Sequence, residues 1–159
     1  MPVATQPTGA GAPTDGTLTF ATGRFRPGHY TASLLDGAGA VLSRSPFWVK
    51  SPTARARVFT SRRVYRVRRP IVVRWRDAPG ERWDWVGVYT RGANPNIAYY
   101  LRWGYTHASI AGHHTLDRTP GYYGYGPQPW PLKPGRYSVY LLRDDGYAII
   151  ARGAFRVVK

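Results

Sequence analysis

Nine arginines fall at positions 55, 57, 62, 63, 66, 68, 69, 74 and 76, and no acidic residue lies between Asp36 and Asp77. A guanidinium presents a planar fork of N–H donors that fits phosphate and carboxylate and stacks on aromatic rings, so this density points to recognition of an anion. Arg62, Arg63, Arg66, Arg68, Arg69, Arg74 and Arg76 are the candidate anion-binding residues. An anionic polymer, an anionic membrane surface, an acidic protein or a nucleic acid would each satisfy such a field, and phosphate contacts would weaken steeply with salt through counterion release. The competing expectation is a solvated strand edge whose charges block edge-to-edge pairing.

Aromatic side chains form the second candidate surface. Tyr122, Tyr123, Tyr125 and Trp130 sit in TPGYYGYGPQPW, from Thr119 to Trp130, a Gly- and Pro-rich stretch too irregular for a strand. Rings carried on loops commonly stack ligands, and a loop folded over one end of the domain is the alternative. Trp103 joins this candidate aromatic site, with core filling as its other role. Trp75 and Trp85 lie at alternating strand positions and are expected in the core.

Catalytic chemistry has little to stand on. The acids are Asp15, Asp36, Asp77, Glu81, Asp84, Asp117, Asp144 and Asp145, and Asp36, Asp77 and Asp145 have the D-G or D-A-P-G setting of turns, where a carboxylate accepts from local amides. Asp84, among aromatics, is expected as a buried carboxylate paired with an arginine. His113 and His114 are adjacent and would face opposite ways in a strand, a poor metal pair; His107 with His113 or Asp117 is a weak alternative. No G-x-S-x-G elbow and no Gly-rich phosphate cradle occur. No enzyme activity, metal or cofactor is expected.

Composition sets the outer bounds. With 159 residues, 43% of them hydrophobic, the chain can bury one good core and a fragment, which excludes two large domains. Lys and Arg total 23 against 8 Asp and Glu, a net charge of +15, and twenty of the cations are arginine. Without cysteine there is no disulfide scaffold, thiolate zinc site or cysteine nucleophile. The start lacks a basic region followed by an apolar one, and nowhere do 18 apolar residues run together. A cytoplasmic location is expected if Met1 is a natural start, and export if the chain is a fragment of an exported parent.

These side chains must be positioned by strands. Short runs rich in Val, Ile, Tyr, Trp and Phe alternate with Gly, Pro and Asp turns, the pattern of an all-β sandwich. Strands are expected at 17–22, 29–35, 40–49, 55–60, 64–68, 71–76, 84–90, 97–105, 136–142 and 147–158. Within the sixth, Ile71, Val73 and Trp75 share one face, while Val72, Arg74 and Arg76 share the other. Residues 1–16 read as a flexible arm of Gly, Pro, Thr and Ala.

The segment RPGHYTASLLDGAGAVLSRSPFWVK, from Arg26 to Lys50, returns as KPGRYSVYLLRDDGYAIIARGAFRVVK, from Lys133 to Lys159. Pro27, Gly28, Tyr30, Leu34, Leu35, Phe47 and Val49 match Pro134, Gly135, Tyr137, Leu141, Leu142, Phe155 and Val157. Each copy reads as a Pro-Gly turn, a strand with Tyr and paired Leu, an Asp-Gly hairpin turn and a closing Phe-x-Val strand. The first copy has no counterpart of the segment from Ile71 to Tyr105. Residues 17–50 are therefore expected to be the tail half of a sandwich unit, of about three strands, and 51–159 a complete one. A lone set of three strands cannot bury both faces, so it should pack on the complete domain or on another chain, giving an oligomer or a complex.

PIVVRWRDAPGERWDWVGVY from Pro70 to Tyr89, YYLRWGY from Tyr99 to Tyr105, and the closing hairpin together resemble SKICH-like, immunoglobulin-type sandwich modules. They resemble in particular the bacterial accessory domains beside calcineurin-like metallophosphoesterases. The resemblance covers 70–159 in full and 17–49 in part, and implies a non-catalytic accessory module. No phosphoesterase motif accompanies it. The leading expectation is a binding module that meets its anionic partner through the arginine segment and the aromatic loop. A nucleic-acid or ribonucleoprotein binder, and a structural subunit docking through its half-repeat, are the alternatives.

Overall fold

Apolar side chains at every second position, with charge between them, favour strands that bury one face, and the computed structural model of the chain is built in that way. It describes residues 4–8, 15–119 and 128–159. Among these there is no helix, and ten strands appear: β1 (Gly28–Leu35), β2 (Val41–Val49), β3 (Arg57–Thr60), β4 (Val64–Arg66), β5 (Ile71–Arg76), β6 (Trp85–Thr90), β7 (Arg102–Tyr105), β8 (Gly112–Leu116), β9 (Gly135–Leu142) and β10 (Ile149–Val158). The chain divides into two compact units, Met1–Pro52 and Thr53–Lys159.

The second unit is an all-β sandwich. One sheet has the order β4-β10-β9-β6-β7 and the other β3-β5-β8. Every neighbour is antiparallel except β4, which runs parallel to β10. The first segment of the unit thus changes sheets, leaving β3 at Thr60 and joining the other sheet as β4 at Val64. Val58, Ile71, Val73 and Trp75 from the smaller sheet meet Val86, Val88, Val139, Leu141, Phe155 and Val157 from the larger one in the core. Gly153 allows β10 to approach β3 closely, since a Cβ there would lie 2.5 Å from the Val58 carbonyl oxygen.

The first unit contains the hairpin β1–β2, in register from Gly28 opposite Val49 to Leu34 opposite Ser43. The expected strand at 17–22 does not form: Leu18 and Phe20 are exposed in irregular chain, so the half-repeat has two strands, not three. Two further departures concern the sandwich. Residues 97–101 are not strand; the connection between β6 and β7 instead lays Ala93, Ala98 and Tyr100 against an aromatic cluster. β8 arises where no strand is expected, since of its residues only Thr115 is of the β-branched or aromatic kind that signals a strand. Of the arm expected at 1–16, residues 1–3 and 9–14 lie outside the described residues.

Candidate functional site

All nine arginines between positions 55 and 76 are exposed. Among the described residues the one carboxylate pair within 4.0 Å belongs to Arg143, 3.9 Å from Glu81, so none of the nine is neutralised by a neighbour. The fold sorts eight of them into two groups, and Arg55 precedes β3.

The first group decorates the outer face of the three-stranded sheet. Because Ile71, Val73 and Trp75 are drawn into the core, pleating turns Val72, Arg74 and Arg76 outward. Register then sets Arg57 directly opposite Arg76, and Arg74 between Phe59 and His113. Like charges facing each other across a strand pair destabilise a sheet, and an anion bound over them would reverse the sign.

The second group lies at the sheet-changing corner. Arg62, Arg66 and Arg69, with Ser61, Tyr65, Pro70 and Val72, line an open cleft of about 750 Å³. Tyr65 fixes the corner: its hydroxyl lies 3.0 Å from Ser61 Oγ and accepts from the Arg62 amide at 3.1 Å, while its ring meets Phe155 edge-on. Two backbone bonds to β10 frame the parallel pairing, Arg156 N to Arg63 O and Val67 N to Val158 O. Arg68 turns the chain into β5 with φ 68°. Neither Arg63 nor Arg68 lines the cleft.

The two described aromatic candidates, Trp103 and Trp130, do not share a surface. Trp103 is buried, 7% exposed, among Trp85, Tyr89, Tyr140 and Leu142 on the outward face of the five-stranded sheet. That face carries a second core in place of a solvent platform. Gly87 makes room for it, since a Cβ would strike the Tyr89 and Trp85 rings at 2.7 and 2.9 Å. Burial pushes the Tyr89 phenol up, and its hydroxyl and Trp103 Nε1 have no hydrogen-bond partner among the described residues. Tyr122, Tyr123 and Tyr125 lie outside the described residues. Trp130 is half-buried, packed against the main core and 5.7 Å from the Arg102 guanidinium.

Arg102 is the residue that sequence reasoning missed. It stands opposite Val88 on the inter-sheet face of β7, and is 2% exposed. Its guanidinium donates to the carbonyls of Asp117 and Thr119, and to that of Gln128 at 3.1 Å, holding both ends of the connection that carries the tyrosines. Burial lowers its pKa, with the Asp117 charge opposing. The available signal was its alternation with Trp103: a strand with two buried faces must bury Arg102 too.

Three of the acids, Asp36, Asp84 and Asp117, serve backbone amides. Asp36 accepts from the amides of Ala38 and Ala40, and Asp117 from that of Thr119, which holds its carboxyl below the usual range. Asp84, fully buried, accepts from the amides of Glu81 and Asp144, both at 3.2 Å, and not from the arginine expected. Asp145 departs from the turn pattern in accepting from the Tyr105 hydroxyl at 2.9 Å. His113 faces out and His114 in, where burial, then His107 and Arg102, lower its pKa. No group of three His, Asp or Glu gathers among the described residues as metal ligands would. In comparison with known proteins the chain matches no family model and no curated sequence.

Proposed function

We propose that this chain is a non-catalytic binding module that takes a linear polyanion across the arginine corner and the outer face of the three-stranded sheet. One observation carries the reading: nine exposed guanidinium groups, two of them opposed across a strand pair, with none in an ion pair among the described residues. A cleft lined by Arg62, Arg66 and Arg69 gives the charge a concave face. Asp36, Asp84 and Asp117 accept from backbone amides, which commits those three carboxylates to structural bonds rather than to acid–base work.

The immunoglobulin-like and SKICH-like resemblance belongs to the same proposal. Its support is the strand order, in which β3-β5-β8 follows strands A, B and E, and β4-β10-β9-β6-β7 follows A′, G, F, C and C′. A tyrosine corner adds to it: at the start of β9 the Tyr137 hydroxyl donates to Lys133 O at 2.6 Å.

Binding of heparin and of short oligonucleotides across a salt series tests the proposal. Replacing Arg62, Arg63, Arg66, Arg68 and Arg69 with Gln should flatten the slope of log K against log salt by about 0.7 to 0.9 for each phosphate no longer neutralised. Equal, weak binding by both proteins would leave the arginines as solvated charge and overturn the reading.

A further inference from the structure

The two copies of the sequence repeat have the same architecture, one inside a sandwich and one outside. Tyr30 pairs with Phe47 as Tyr137 pairs with Phe155, and Gly28 with Val49 as Gly135 with Val157. Their rings stack alike, at 5.6 Å and 23° in the first copy and 5.4 Å and 20° in the second. Tyr30 makes its own tyrosine corner, its hydroxyl donating to Arg26 O at 2.8 Å, four residues back as in Tyr137 to Lys133. Even the irregularity recurs. Leu34 faces Ser43 but Leu35 faces Val41, as Leu141 faces Ala151 but Leu142 faces Ile149, so Leu42 and Ile150 are the extra residues of one and the same bulge. Bulges re-aim a strand at a chosen position, and duplicating one duplicates the surface on which a sheet must fit.

The surroundings differ. β9 is flanked by antiparallel β6 and β10 by parallel β4, and Leu141 and Leu142 are fully buried. β1–β2 is a two-stranded sheet whose outer edges pair with no strand among the described residues, and Leu34 and Leu35 are 47% and 45% exposed. Isolated two-stranded hairpins are marginal in water.

We infer that β1–β2 is the closing hairpin of a second sandwich, and that its occupant is an immunoglobulin-like front half outside these 159 residues. That front half lays a β6-like strand antiparallel along β1 and a β4-like strand parallel along β2. The complete copy in the same chain specifies the pairing: the incoming strand sets its inward residues beside Ala32 and Leu34, as Val88 and Val86 lie beside Val139 and Leu141.

A graft reads this directly. A copy of residues 53–134 joined ahead of Gly28 supplies the chain's own front half to the first hairpin, beside the unaltered 159-residue chain. Amide exchange along β1 should slow by about 100-fold or more in the graft, as for strands inside a cooperative unit. Leu34→Asp should abolish the gain while the 53–159 unit keeps its own transition. Equal exchange in grafted and unaltered chains overturns the inference. So does strong protection already present in the 159-residue chain, with concentration dependence marking a second copy as the cover and its absence marking the chain's own sandwich.

A crosslink that does not depend on folding the graft provides the second measurement, since the chain has no cysteine of its own. Ala32→Cys in the full chain should join a peptide of residues 82–92 bearing Val88→Cys in preference to one bearing Tyr89→Cys, because Val88 pairs with the counterpart of Ala32 and Tyr89 belongs to the opposite face. Equal yields from the two peptides count against the pairing.

Discussion

Hairpins β1–β2 and β9–β10 share a Pro-Gly entry, a register, a bulge and a stacked Tyr–Phe pair, yet among the described residues only the second has strands along both of its edges. The contrast separates what is local from what is not. Hairpin geometry follows from the Pro-Gly entry, the tyrosine corner and the turn, all encoded within about 25 residues. Burial follows from what lies alongside. Leucines of the same spacing are core in one copy and exposed in the other, so the pattern declares a face and the topology decides whether anything meets it.

Truncation gives the largest expected difference between the copies. Leu141→Ala should cost the sandwich about 3 kcal/mol, as for a fully buried leucine that leaves a cavity. Its counterpart Leu34→Ala should change the same denaturant midpoint by less than about 0.5 kcal/mol. Comparable losses would break the contrast. Removing one hydroxyl sharpens it on a smaller scale. Tyr137→Phe should cost about 1 kcal/mol through its bond to Lys133, and Tyr30→Phe should leave the sandwich transition where it was.

The smallest effect is one of pH. The sandwich unit holds an imidazole whose pKa is lowered from its ordinary 6.5, that of His114, chiefly by burial. The unfolded chain therefore takes up a proton before the folded one, so the stability His114 confers is present above about pH 6.5 and falls away as pH drops through the lowered value. His114→Leu should flatten the dependence of the unfolding midpoint between pH 7.5 and 5, and an unchanged slope would place it in other groups.

Much of the sandwich could be read from side-chain alternation. It located β5, β6, β9 and β10 to within two residues at each end, because apolar side chains alternate there, as in Ile71, Val73 and Trp75, Val86 and Val88, Tyr137, Val139 and Leu141, and Phe155 and Val157. Alternation failed where a strand has two buried faces. Trp103 and Arg102 look like one inward and one outward residue, yet β7 packs an aromatic cluster on one side and the loop-holding guanidinium on the other. Leu18 and Phe20 suggested a strand that never forms. The arginine field was legible as charge, but its division into a sheet face and a corner cleft needed register, which composition does not carry.

The parallel pairing of β4 with β10 has a mechanical consequence. These two strands lie next to the two ends of the unit, one just after its entry at Thr53 and the other at its exit at Lys159. Tension applied across the unit through those ends would pull β4 and β10 in opposite senses along their length. The bonds Arg156 N to Arg63 O and Val67 N to Val158 O would then be loaded together in shear rather than peeled one at a time. A module held in series by its ends would resist extension before its core gave way.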